Sequence, residues 1–177
     1  MEGLENLPSA SNFIIVSNHV SWLDSLFFVA VIPGKIYGVS AWYLYRSAFL
    51  KWFLSSLDSI PTRGSARKVI SLLEKNKVVG LFPEGGCSRD GRLKRFRKGA
   101  AFAALKTGRP VVPCAIFGTF ESYPIGAKFP KIFRRIRIKI GKPLYFLKEF
   151  DPIVDDVLLQ GSTQKIRKSI EGLLING

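Results

Sequence analysis

The stretch Asn18-His19-Val20-Ser21-Trp22-Leu23-Asp24 carries the only histidine of the chain, with a carboxylate five residues on. An imidazole titrates near neutral pH and suits general-base work. A carboxylate within a turn of it fixes the tautomer and stabilises the imidazolium once a proton arrives. His19 and Asp24 are therefore a candidate base and its orienting partner. The same two residues can also serve structure alone, as a histidine at a strand end and an aspartate capping a helix.

A second stretch is Phe82-Pro83-Glu84-Gly85-Gly86-Cys87-Ser88-Arg89-Asp90-Gly91. Gly85 and Gly86 let the backbone approach a ligand, and their amides can point at an anion. Arg89 can grip a phosphate bidentately, and Glu84 can accept from a hydroxyl. An ordinary turn with solvated charges has the same composition. In the third stretch, Ile60-Pro61-Thr62-Arg63-Gly64, an arginine stands before a helix N-terminus. The helix dipole and free amides there add to its charge in holding an anion. The fourth, Pro110-Val111-Val112-Pro113-Cys114-Ala115-Ile116, reads by itself as a buried strand.

The elements that must position these residues alternate. Apolar β-branched runs predict strands over Phe13–Ser17, Lys35–Ser40, Val78–Phe82 and Val111–Phe117, and Ile136, Ile138 and Ile140 alternate with charge as a half-exposed strand. Ser21 and Asp24 form a capping-box-like start for a helix running to Val31, stopped by Pro33-Gly34. Further helices are expected over 41–55, Ser65–Asn76 and Gly99–Thr107. A last one is expected over Val154–Leu174, interrupted near Gly161. Gly118–Pro130 reads as loop. The pattern predicts an α/β fold: a single domain over 1–177 with a mostly parallel or mixed sheet flanked by helices on both faces. Candidate residues then fall at the carboxyl ends of strands, where such sheets bind ligands.

A length of 177 residues fits one domain, and 47% apolar residues exclude intrinsic disorder. The net charge of +14 is concentrated. Residues 88–142 hold 15 basic side chains against two acidic ones, Asp90 and Glu121. That field attracts polyanions: nucleic acid, an anionic membrane surface or phosphate-bearing substrates. The two cysteines, Cys87 and Cys114, fit reduced thiols in a cytosolic compartment. With His19 they fall short of a four-ligand zinc site, so no metal is expected. The longest apolar run, Leu26–Ile32, is too short to span a bilayer, and the acidic N-terminus is unlike a signal peptide. A soluble or peripheral protein is the expectation.

Taken together and in this order, the four stretches resemble the 1-acylglycerol-3-phosphate acyltransferase family, the glycerolipid acyltransferases. The family's Asn-His-x4-Asp motif is matched by Asn18, His19 and Asp24. Ile60-Pro61-Thr62-Arg63 resembles its second motif, and Phe82-Pro83-Glu84-Gly85-Gly86-Cys87-Ser88 its Phe-Pro-Glu-Gly-Thr-Arg-Ser. Val112-Pro113-Cys114-Ala115-Ile116 resembles its Val-Pro strand. The likeness runs over about 13–147.

The resemblance implies transfer of a long-chain acyl group from acyl-CoA or acyl-carrier protein to the free hydroxyl of a lysophospholipid, foremost 1-acylglycerol-3-phosphate. It implies His19 as base, Asp24 as its orienter, and Arg63, Glu84, Gly85, Gly86, Ser88 and Arg89 as the acceptor and phosphate grip. Asn18, Ser21 and Pro113 support them. No cofactor and no covalent acyl-enzyme are implied, and neither cysteine is required as a nucleophile. Two departures stand out: Gly86 replaces the threonine of the third motif and Cys87 its arginine. They favour Arg89 as substitute, or another lyso-lipid acceptor such as lysophosphatidylcholine.

Trp42, Tyr43, Tyr45, Phe49, Trp52 and Phe53, with Arg46 and Lys51, can form a face that docks on an anionic membrane. They can equally be core. Phe129, Ile132 and Phe133 beside Lys128, Lys131, Arg134 and Arg135 suit a membrane-contacting loop. The expected location is the cytoplasmic face of a membrane. Two rivals remain. One is a basic nucleic-acid-binding protein, against which the absence of any recognised module argues. The other is a catalytically silent lipid-binding relative.

Overall fold

The computed structural model describes residues 1–9, 12–62, 64–131 and 134–177. Six strands form one sheet: β1 (Ile14–Ser17), β2 (Ile36–Ser40), β3 (Ile60–Pro61), β4 (Val78–Leu81), β5 (Val111–Phe117) and β6 (Arg137–Ile140). Their spatial order is β3-β2-β4-β1-β5-β6. The first five run parallel, and β6 closes the edge antiparallel to β5. The sheet is thus mixed, in line with the alternating pattern. β1 is the pivot, with Ile15 level with Gly80 on one side and Val112 on the other.

Successive side chains of a strand point to opposite faces, so the apolar runs feed two cores. Ile14, Val16, Val79 and Val111 face α3 (Ser65–Glu74), α4 (Gly99–Thr107) and α6 (Asp156–Ile175), through Leu73, Ala104 and Ile170 among others. Ile15, Val78, Val112, Cys114 and Ile116 face the other way, with Phe28 of α1 (Leu23–Val31) and Ile32 just beyond it. The alanines of α4 let it lie close on the sheet. Burial on both faces explains why these strands are apolar runs without alternation. β1 and β4 are parallel neighbours whose following helices pack on opposite faces. Their C-terminal ends therefore lie side by side where two loops diverge, the setting in which such sheets place ligands.

Three local expectations are corrected. The single helix expected over 41–55 is a 3-10 turn, Trp42–Arg46, followed by α2 (Ala48–Ser56). Ser47 is extended between them and caps α2, its hydroxyl accepting from the Leu50 N–H; an N-cap serine competes with helix continuation for its own backbone. The segment read as loop from Gly118 contains a one-turn helix, α5 (Thr119–Ser122). α6 runs unbroken for 20 residues through Gly161. An interior glycine costs about 1 kcal/mol, and the burial of Ile166 and Ile170 outweighs it.

Candidate active site

The site is built on the end of β1. Asn18 is buried and turns its amide sideways to β5, donating to the Ile116 carbonyl at 2.9 Å and accepting from the Ile116 N–H at 2.8 Å. Its side chain thus continues the ladder one residue past β1 and sets the direction in which His19 leaves. The backbone of His19 is gripped by the loop after β4. Its N–H donates to Glu84 Oε1 at 2.7 Å, and its carbonyl accepts from the Ser88 N–H at 2.6 Å.

The imidazole stacks on Phe82, ring centres 4.0 Å apart and planes within 17°. Its Nδ1 lies 2.9 Å from Asp24 Oδ2. The same oxygen accepts from the N–H groups of Val20 at 2.7 Å and Ser21 at 2.8 Å. An ionised carboxylate only accepts, so Nδ1 carries the ring proton and Nε2 presents its lone pair. Asp24 is fully buried, whereas the His19 side chain keeps 14% of its surface. The imidazole is therefore fixed from behind and reachable from in front. Only half of the predicted capping box forms: Asp24 accepts from the Ser21 N–H, whereas the Ser21 hydroxyl accepts from the Leu23 N–H at 3.2 Å and donates to the Tyr123 carbonyl, and α1 is flanked by Trp22 without a side-chain cap.

Glu84 is buried, and both of its oxygens are used by the protein, one by His19 N–H and the other by Lys94 N–H at 2.9 Å. Burial pushes its carboxyl above the ordinary value, with the two backbone bonds pulling the other way. Lys94 Nζ donates to the Gly86 carbonyl at 3.1 Å and so pins the glycine turn. Gly85 adopts φ +73° there, a conformation that suits glycine. Cys87 Sγ lies 3.0 Å from His19 Nε2. Burial, joined by the nearby Asp24 charge, pushes its thiol up to about 12. At neutral pH it is S–H and donates to the lone pair of Nε2. Beside the site a cleft of about 520 Å³ opens, with Asn18 and Val20 on one wall and Arg134, Arg135 and Arg137 on another.

The model of the family described as Acyltransferase matches residues 1–117. The chain belongs to the Acyltransferase family. It is 33% identical, over 97% of its length, to the chloroplastic 1-acyl-sn-glycerol-3-phosphate acyltransferase LPAT1 of Arabidopsis thaliana, covering 49% of that protein. It is 31% identical, over 66% of its length, to the 1-acyl-sn-glycerol-3-phosphate acyltransferase of Borreliella burgdorferi, covering 50% of it. The crystal structure of the 1-acyl-sn-glycerophosphate (LPA) acyltransferase PlsC from Thermotoga maritima superposes with a TM-score of 0.72 at 26% identity. That match covers 97% of this chain and 70% of the other. The chain spans about half the length of the curated relatives it matches.

Within this family member the first and third motifs meet: Asn18, His19, Ser21 and Asp24 on one side, Glu84, Gly85, Gly86 and Ser88 on the other. Ser88 is buried, its hydroxyl donating to Asp90. Arg89 is exposed. Pro113 is buried in β5, level with Val16 of β1. Arg63 lies outside the described residues, as do Ile132 and Phe133. Sequence reasoning did not foresee the approach of Cys87 to Nε2, the Phe82 stack or the Lys94 pin. The one available signal was that Cys87 replaces an arginine inside the third motif. Among the described residues, no group of three or more His, Cys, Asp or Glu side chains could hold a metal ion.

Proposed function

We propose that this chain transfers a long-chain acyl group from a thioester, acyl-CoA or acyl-carrier protein, to the free hydroxyl of a lysophospholipid, foremost 1-acylglycerol-3-phosphate, in phospholipid synthesis. The observation that carries this is the His19–Asp24 pair. Asp24 holds the Nδ1 proton and leaves the Nε2 lone pair at the edge of the third-motif loop. Nε2 takes the proton of the attacking group while the bond to the thioester carbonyl forms. General-base catalysis of this kind contributes about 10²–10⁴-fold. A thiolate leaves readily, so no strong acid is needed opposite, and no cofactor. Arg63 and Arg89, with the Gly85–Gly86 turn, bind the acceptor phosphate. The arginine-lined cleft offers a second place for a phosphate-bearing part of either substrate. The names of the similar proteins support the same substrate class.

Membrane docking is part of this proposal. Trp42, Tyr43, Phe49 and Trp52 are exposed, and no residue of the 3-10 turn or of α2 is buried. This favours the interfacial over the core reading of the aromatic segment. No helix among the described residues is long and apolar enough to cross a membrane. The chain acts as a peripheral protein on a cytoplasmic membrane face.

Product mass spectrometry tests the proposal. The protein is incubated with liposomes, a pool of lysophospholipids, and palmitoyl-CoA or palmitoyl-carrier protein, with His19→Ala alongside. A diacyl product formed by wild type alone is expected, and its headgroup names the acceptor. Folded, vesicle-bound protein that makes no product from either donor refutes it.

A further inference from the structure

We propose that the cleft at the β5–β6 edge seats the nucleotide of the donor: its arginines hold the phosphates of a coenzyme A thioester, while the acceptor is held on the other side of β1. This rests on the acyl-transfer reading above and assigns the cleft to one of the two substrates. The cleft opens where β5 ends and β6 begins, lined by Ile116, Phe117, Gly118 and the arginines, with Asn18 and Val20 on the β1 side. Its volume of about 520 Å³ falls within the range of small-molecule sites, about 300–1,000 Å³. The lining carries three arginines, Arg134, Arg135 and Arg137, against one carboxylate, Glu121, among the described residues. Arg137 is fixed in place, its guanidinium donating to the Gly177 carbonyl and lying 5.1 Å from the centre of the Phe117 ring. Arg134 and Arg135 are exposed.

The strand order separates the two substrates. β1 lies between β4 and β5. The imidazole turns to the β4 side, where it stacks on Phe82 and its Nε2 meets Cys87. Asn18 turns the other way and bonds Ile116 of β5. The phosphate of a lysophosphatidic acid stands a few bonds from the hydroxyl that reacts at Nε2, so it belongs on the β4 side with the third-motif loop. A coenzyme A thioester is built differently. A long, flexible pantetheine arm separates its reacting carbonyl from its phosphates, and such an arm reaches across the end of β1. The exposed aromatic residues point the same way. Trp42, Tyr43, Phe49 and Trp52 lie between β2 and β3 in the chain, toward the edge of the sheet opposite β6. A lipid acceptor then arrives from one edge and the water-soluble nucleotide from the other.

The side chains suit that ligand. The cations of the lining are all arginines, although lysines such as Lys128 and Lys131 share the same basic stretch. A guanidinium meets phosphate oxygens with two parallel N–H bonds, which an ammonium does not. Coenzyme A brings a diphosphate and a ribose 3′-phosphate to such a cluster. Phe120, half-buried on the lining, offers a ring on which the adenine can stack. In the sequence Arg134 and Arg135 read as part of a membrane-contacting loop. In the fold they share a concave site with residues of β1, β5 and α6, a shape that encloses a small ligand and not a flat bilayer surface.

The experiment titrates the full chain with coenzyme A, dephospho-coenzyme A and pantetheine by calorimetry at fixed ionic strength, so binding is read without turnover. Coenzyme A should bind, dephospho-coenzyme A more weakly and pantetheine not measurably. Arg134→Ser/Arg135→Ser should weaken coenzyme A by at least about 10-fold and narrow its advantage over dephospho-coenzyme A. Lys142→Ser/Lys148→Ser removes the same charge at the far end of the sheet, beside Leu144 and the start of β5, and should leave the affinity unchanged. In turnover the arginine variant should raise the KM for palmitoyl-CoA and leave those for palmitoyl-pantetheine and lysophosphatidic acid unchanged. Four results would overturn the assignment. Wild type that shows no saturation at millimolar coenzyme A leaves the cleft without this ligand. Equal weakening by the lysine variant assigns the effect to the net field of the chain. A raised KM for lysophosphatidic acid gives the cleft to the acceptor. Loss confined to palmitoyl-carrier protein turnover or to vesicle binding makes the arginines a docking face for that partner or for the bilayer. Coenzyme A bound as expected by a protein that acylates no acceptor overturns the proposed function and not the cleft.

Discussion

Asp24 meets His19 through a single oxygen: Oδ2 stands 2.9 Å from Nδ1 and also accepts the Val20 and Ser21 N–H groups. One atom thus orients the imidazole and closes the turn that starts α1. Changes at this position should act on chemistry and folding separately. Asp24→Asn can leave the turn largely formed while presenting the wrong tautomer partner to Nδ1, so kcat should fall by at least about 10²-fold with a modest loss of Tm. Asp24→Ala leaves buried donors without an acceptor, each costing about 1–3 kcal/mol. It should lower Tm far more. Thermal denaturation and turnover of the two variants, side by side, check this. Equal effects on Tm would mean that the two roles are not separable.

Much of this was legible in the sequence, for a physical reason. An imidazole at a strand end and a carboxylate in the next helix turn are close because the chain between them is short. His19 and Asp24 need five residues, and local geometry does the rest. Buried parallel strands announce themselves as apolar runs, so β1, β4 and β5 were visible too. What stayed hidden depends on distant partners. Asn18 bonds Ile116, 98 residues away, and Glu84 reaches His19 across 65. Sequence spacing carries no trace of either bond. The approach of Cys87 to Nε2 is of the same kind, created only when β4 pairs beside β1. The errors inside elements came from treating Gly161 as a breaker and an aromatic run as one helix, where burial and a serine cap decide.

Glu84 gives a pH signature of its own. A carboxyl raised by burial binds its proton more tightly in the folded state than in the unfolded one. Stability from this group therefore increases as pH falls through the raised value toward the ordinary 4.5, and is lost as pH rises above that window. Asp90 and Asp156 are lowered from 3.8, by bonds from Ser88 and Lys98, so their contributions are lost only below that value as pH falls. Glu84→Gln removes the first term and keeps the others. The stability of wild type minus that of Glu84→Gln, from urea unfolding at a series of pH values, should shrink as pH rises above 4.5. A difference that grows with pH would contradict the burial of this charge.

The aromatic patch on α2 predicts a separation of docking from folding. Phe49 is 68% and Trp52 67% exposed, their rings 6.2 Å apart, with Arg46 and Lys51 exposed nearby. Burying one such side chain contributes about 1.5–3 kcal/mol, so each replacement should weaken vesicle binding by about 10-fold or more. Phe49→Ser/Trp52→Ser should therefore stay in the supernatant when anionic vesicles are sedimented, with Tm unchanged because neither ring packs in a core. Undiminished sedimentation would move the docking face elsewhere.

The two glycines of the third-motif turn should respond oppositely to a side chain. Gly85 sits at φ +73°, and a Cβ there would also meet the Arg97 side chain at 2.2 Å from Nε. Arg97 is exposed and can swing aside, but the backbone conformation cannot change without moving the Glu84 and Cys87 anchors on either side. An L-residue in this region costs about 1–2 kcal/mol, so Gly85→Ala should lose that much stability and, by shifting the loop off His19, much of the activity. Gly86 has an unremarkable φ and nothing within 4 Å of its would-be Cβ. Gly86→Ala should be stable to within a few tenths of a kcal/mol or slightly stabilised, because it narrows the unfolded ensemble. Gly86→Thr, which restores the family residue, should likewise fold. Urea midpoints and turnover for Gly85→Ala and Gly86→Ala decide the matter: a Gly86 variant as damaged as the Gly85 one would mean that the turn needs both glycines for close approach of substrate, and that space in the free protein is taken up when substrate binds.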